Sequence, residues 1–181
     1  MAKIRLNKNE AARRQVNAAI RMLYENEDPV AVHTLAMAGF RILRDLASGR
    51  SDSYMENVIG LMIRSNKKKE FWARYNGFSN FLKHADKDPD GIHDGVDETV
   101  NDFVLLLACL YYQDLGNQFT PEMSAHVAWF TALNPSFLFE NAEEKYKNAI
   151  AAAGETLKGL PREQQLEFGK TIIVLARAQP R

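Results

Sequence analysis

Four histidines, a run of aspartates and a single cysteine are the side chains in these 181 residues that could do chemistry. His33 lies in VAVHTLAMAGF and His84 in NFLKHA. Imidazole is the side chain best placed to move a proton or ligate a metal near neutral pH. At helical spacing Asn76, Asn80 and His84 fall on one stripe, beside Phe81 at the edge of an apolar face. With Lys83 alongside, such an edge can hold a phosphate or a water. His33 borders a strongly apolar helix, in line with Met37 and Arg44. Two histidines bordering the core of one bundle can meet. With Asp86 or Asp88 they would form a His/His/carboxylate set suited to a divalent ion. The plainer alternative is that each imidazole satisfies a carbonyl or carboxylate at a helix edge. The candidate polar site is therefore His33, Asn80, Lys83, His84, Asp86 and Asp88.

The stretch KHADKDPDGIHDGVDETV, residues 83–100, raises a second question. A calcium loop between two helices places oxygen ligands at positions 1, 3, 5, 7, 9 and 12, with glycine at 6. With Asp86 first, Asp88, Asp90, Asp94 and Asp97 take the carboxylate positions, Gly91 is sixth and Ile92 offers its carbonyl. Three features count against it. Asp97 is one methylene shorter than the usual glutamate, His93 replaces an apolar residue, and Pro89 restricts Asp88 to extended backbone. No second loop is present to pair with it. An Asp/Pro/Gly turn between helices accounts for the same letters. No metal site is expected there, and no cofactor elsewhere. A Gly-rich phosphate loop, a Gly-x-Ser-x-Gly elbow, a His-Glu-x-x-His and a Cys-x-x-Cys are all missing. Cys109, within the apolar run VLLLACLYY, reads as a small core residue, because apolar burial raises a thiol's pKa.

The segments VAVHTLAMAGFRIL and NFLKHADKDPD together resemble a family of uncharacterised bacterial helical proteins. Its marks are an early His-Thr-Leu and an Asn-Phe-Phe-Lys-His-Ala-Asp-x-Asp-Pro segment. The resemblance covers roughly residues 9–138 and implies a helical bundle without implying an activity. More distantly, NFLKHA is similar to the Asn-x-x-Lys-His segment of HEPN-like helical bundles, some of which bind nucleotides or cut RNA. The nuclease members need an arginine a few residues before the histidine. None of His33, His84, His93 and His126 has one at that distance, so the likeness implies a bundle and a pocket rather than RNA cleavage.

The elements that must position these residues all read as helices. Ala12, Val16, Ala19, Ile20 and Leu23 recur at three and four in the first. The second starts with Asp28 as N-cap and Pro29 in its first turn. Val32, Leu35, Ala36, Gly39, Ile42, Leu43 and Leu46 line one face of it, and Ala36, Ala38 and Gly39 would admit a neighbouring helix closely. Shorter helices are expected over 53–65 and 69–85, the latter with Tyr75, Phe78, Leu82 and Ala85 on one face. The helix over 97–116 is apolar around most of its circumference and should be central, ending at Gly116. Thr120 and Pro121 open another helix, and two more over 142–159 and 161–178 form a closing pair. No segment alternates like a strand. The expectation is an all-α, single-domain bundle of about seven or eight helices. Residues 1–138 form its main part. Residues 139–181 form a C-terminal helical hairpin that packs on the bundle or joins two copies.

Lys plus Arg and Asp plus Glu both total 23, so the formal net charge is zero. That balance argues against a nucleic-acid partner, and Lys67, Lys68 and Lys69 read as a solvated helix start. One cysteine suits a reducing compartment. No signal segment opens the chain, and the apolar run 104–112 is too short to span a bilayer. A cytoplasmic protein with no membrane partner is expected. The functional expectation is a non-enzymatic helical module that binds a small ligand or a protein, as a homo-oligomer. The rival is a hydrolase or nucleotide-handling enzyme working from a polar site around His33 and His84, with or without a metal.

Overall fold

Asparagine, aspartate and threonine at helix starts set the frame. The computed structural model describes residues 3–55, 57, 76–84, 86–94, 97–137 and 143–178. In α1 (Lys8–Tyr24) the Asn7 side chain accepts from the Glu10 amide, and Ala12, Val16, Ala19, Ile20 and Leu23 are buried. In α2 (Pro29–Ser48) Asp28 Oδ1 accepts from the Val30 and Ala31 amides at 2.8 and 3.1 Å, with Pro29 in the first turn. These are orphan helix donors that a cap must satisfy. A Cβ on Gly39 would lie 2.7 Å from Val16 Cγ2 and 3.2 Å from the Ala12 carbonyl. The close approach of α1 and α2 therefore requires glycine there.

The apolar run becomes α3 (Val100–Asp114), with Val104, Leu105, Leu106, Ala108, Cys109 and Tyr111 all buried. Burial pushes the Cys109 thiol's pKa up. Gly116 takes φ +84° just beyond the helix, which a residue with a Cβ rarely adopts. In α4 (Pro121–Leu133) the Thr120 hydroxyl oxygen accepts from the Met123 amide at 3.2 Å and the hydroxyl donates to Asn17 Oδ1 at 2.8 Å. A 3-10 turn, Pro135–Phe137, leads towards α5 (Glu144–Leu157) and α6 (Arg162–Ala178). Ile150 and Leu157 of α5 and Leu166 and Ile173 of α6 are buried in the same core as α1 to α4. Trp129 Nε1 donates to the Gln165 carbonyl at 2.7 Å, tying α4 to α6.

The fold is all-α, with no strand among the described residues. None of the helices described is long and apolar enough to cross a membrane. Most of the helix expected over 53–65 and the first part of that over 69–85 lie outside the described residues, as do Lys67, Lys68, Lys69, Tyr75 and Ala85. Residues 54, 55, 57 and 76–81 are helical.

A buried polar chain crosses the helices. His126 is fully buried, and its Nε2 lies 2.9 Å from the Asp102 backbone oxygen. A carbonyl can only accept, so Nε2 carries the proton and Nδ1 accepts from the Tyr24 hydroxyl at 3.1 Å. Burial lowers the His126 pKa to about 4, so the ring stays neutral at neutral pH. The Asp102 carboxylate then meets Arg162 Nη2 at 2.6 Å, and the Arg162 guanidinium lies over the Trp129 ring at 5.2 Å. Further along α6, Arg177 pairs with Glu122 at 2.6 Å and Lys170 with Glu25 at 2.6 Å.

Candidate functional site

His33 is the residue that the surrounding elements treat most unusually. The sequence expectation put it on the border of α2; in the structure it is 1% exposed. The apolar face of α2 is rotated relative to that expectation, so Met37, Phe40 and Ala47 are buried while Leu46 is exposed. The rotation is tolerated because Asn101, near the start of α3, meets the imidazole: His33 Nδ1 lies 2.8 Å from Asn101 Oδ1. Asn101 Nδ2 donates to the Pro29 carbonyl at 3.0 Å. That bond fixes which end of the amide faces the ring. Asn101 Oδ1 therefore accepts, Nδ1 carries the proton, and Nε2 of the neutral ring is an acceptor. Nε2 is buried and has no hydrogen-bond partner among the described residues.

Burial pushes the His33 pKa below its ordinary value of 6.5; the bond to Asn101 opposes this, while Lys83 and Arg41 nearby add to it. The imidazole is neutral at neutral pH. The Phe78 ring stands against it at 4.9 Å between centroids and against the His93 ring at 4.8 Å. Phe81 stacks on Phe78 at 6.4 Å and approaches His93 at 5.4 Å. Nδ1 of His93 is also buried without a hydrogen-bond partner among the described residues.

These rings wall a pocket of about 540 Å³. Pro29 and Val30 of α2 and Leu82 extend the apolar wall, and Asp97, Glu98 and Asn101 complete it at the entry to α3. Asp97 Oδ1 accepts from the Thr99 hydroxyl at 2.7 Å and its amide at 2.9 Å. Those two bonds hold the Asp97 pKa below its ordinary value, and the group is a carboxylate at neutral pH.

Of the six residues of the expected polar site, four are divided between two depressions, and Lys83 and Asp86 line neither. His33 lines the pocket just described. Asn80, His84 and Asp88 line an adjacent depression of about 330 Å³, and Phe81 contributes to both. His84 stands beyond the helical turn 76–81, half-exposed, with Nδ1 3.9 Å from Asp86 Oδ1. The Asn76–Asn80 stripe is real, but its partner comes from α2: Arg41 Nη2 donates to both side-chain oxygens at 3.0 Å. Burial and the charge of Arg41 lower the Lys83 pKa.

The aspartate run is a surface turn. Asp86, Asp88, Asp90, Asp94 and Asp97 are all exposed. The Gly91 amide donates to the Asp88 carbonyl at 3.2 Å, and the Asp88 carboxylate fills the space that a side chain on Gly91 would need. Among the described residues no three His, Cys, Asp or Glu side chains are gathered to hold a metal.

Asn101, Phe78, His93 and Arg41 all stand in this region and were not among the expected site residues. One signal for Asn101 lay in the sequence: an amide at the start of the most apolar helix needs a partner. The other three are brought in by tertiary packing alone. Compared with known protein families, with curated proteins and with solved structures, the chain finds no match in any of the three.

Proposed function

We propose that this domain is a binding module for a small ring-bearing molecule. Phe78, Phe81 and His93 wall the site, and His33 Nε2 accepts a hydrogen bond from the ligand. The observation that carries this reading is the unpartnered Nε2 of a buried, neutral, oriented imidazole on a pocket wall. Leaving a buried polar group unpaired costs about 1–3 kcal/mol, and a ligand N–H or O–H recovers that cost. The volume falls in the range of small-molecule sites, which pair apolar walls with a few placed polar groups. Nε2 is covered in this conformation, so a ligand donor reaches it by displacing a neighbouring side chain. A hydrolase would use the same imidazole as a general base. Binding is the reading favoured, because among the described residues no hydroxyl or thiol partners Nε2.

The test uses para-ethylphenol, which has one ring and one O–H donor. Titrated into the protein and followed by NMR, it should shift His33, Phe78 and His93 together. The variant His33→Phe, which keeps the ring and removes the acceptor, should weaken binding by about ten-fold or more, the value of one good hydrogen bond. If that variant does not fold, the wild-type shifts decide. Shifts confined to residues away from the pocket, or no binding, overturn the proposal.

A further inference from the structure

The acidic and basic side chains among the described residues on the pocket wall are of one kind, the acids Asp97 and Glu98, and the His93 imidazole beside them can donate or accept. His33 Nε2 is an acceptor because Nδ1 holds the proton. Asn101 Oδ1 is already engaged, and Asp97 and Glu98 bring carboxylates. No lysine or arginine is found among the described residues that line it. Aromatic faces and an acidic rim, with no basic side chain among the described lining residues, call for a positively charged guest. Aromatic faces attract cations through their quadrupole, and carboxylates at an exposed rim do so by charge.

We infer, resting on the binding reading above, that the ligand is an aryl-alkyl ammonium: an aromatic body with a primary or secondary amine on a short arm. The body enters between Phe78 and His93, and the ammonium stays at the rim with Asp97 and Glu98. The opposite orientation is disfavoured by charge, because the positive charges of Lys83 and Arg41 act on His33. The ion pairs at the rim are exposed, so each contributes modestly, up to about 1 kcal/mol, or about five-fold in affinity.

Three probes share one ring and differ in charge: tyramine, para-ethylphenol and para-hydroxyphenylacetate. At low ionic strength tyramine should bind about five-fold tighter than para-ethylphenol, with the acid weakest, and added salt should shrink the difference. Glu98→Gln, at an exposed residue outside the helix cap, should reduce the tyramine-to-ethylphenol affinity ratio several-fold. Tyramine binding no tighter than para-ethylphenol overturns the inference while leaving the pocket reading standing. Tighter binding of the acid overturns it in favour of Lys83 and Arg41 as the polar partners. If none of the three shifts His33, both readings fall.

Discussion

Two histidines in this fold are neutral for related reasons and have different consequences. His126 spends both ring nitrogens on Tyr24 and the Asp102 carbonyl, so nothing is left over for a ligand. His33 spends one on Asn101 and keeps the other. Asn101 therefore sets both the tautomer and the stability of the site. Asn101→Ala leaves the Nδ1 proton without its acceptor and removes the tie to the Pro29 carbonyl, and should cost about 2 kcal/mol in a urea melt. Asn101→Asp should raise the His33 pKa, since a carboxylate beside the ring favours its charged form; an unmoved titration in the NMR spectrum would contradict the pairing. The sign for the wild type follows from linkage. The folded ring binds its proton less tightly than the unfolded chain's, whose ordinary value is 6.5. The stability owed to a neutral His33 is present above that value and is lost as pH falls below it.

Among the elements, α1 and α2 meet across Gly39, and α6 is held to the bundle by charge as well as by Leu166 and Ile173. Gly39→Val would drive two methyl groups into Val16 and the α1 backbone. It should cost about 1–3 kcal/mol by overpacking, read as a lowered melting temperature. On α6 the Asp102–Arg162 pair is the telling contact. Burial raises the Asp102 pKa to about 6 even though Arg162 pulls it down. The folded chain thus holds a proton on Asp102 that the unfolded chain has lost above 3.8, so this residue's contribution falls as pH rises through that interval. His126 acts in the opposite sense between about 4 and 6.5, and the two largely offset. Arg162→Met isolates the carboxylate. It should destabilise the protein by about 3 kcal/mol at neutral pH, where the carboxyl must stay buried without its partner or take up a proton. The deficit should narrow near about pH 5, as the carboxyl takes up its proton. A deficit equal at both pH values would mean that Asp102 is not buried with its charge.

For the whole molecule, the architecture was readable because its signals are local. Asp28 with Pro29, Thr120 with Pro121, and the buried stripe from Ala12 to Leu23 each lie within one helix and fix a start or a face. The run 104–112 has too little polar surface to face water, which is enough to make α3 central. Leu106→Asp should unfold the domain, because a charge there has no partner and no water; a circular-dichroism melt matching the wild type would contradict that placement. The site was less readable because its partners are far apart in sequence. His33 and Asn101 are separated by 68 residues, and spacing along α2 gives an angle without saying which helix covers it. The same ignorance placed His33 on the border and left Arg41 unnoticed as the partner of Asn76 and Asn80. The letters of the aspartate run do not separate a metal loop from a turn, because Asp-Pro-Asp-Gly serves a tight turn and a cation loop alike.

The most direct test of the central claim is a long-range proton–nitrogen NMR spectrum of the histidine side chains, with and without para-ethylphenol. The account predicts a neutral His33 protonated on Nδ1 at neutral pH, unchanged by His84→Ala, with its Nε2 resonance moving as the probe saturates. A His33 protonated on Nε2, or an Nε2 resonance that stays still at saturation, would contradict it.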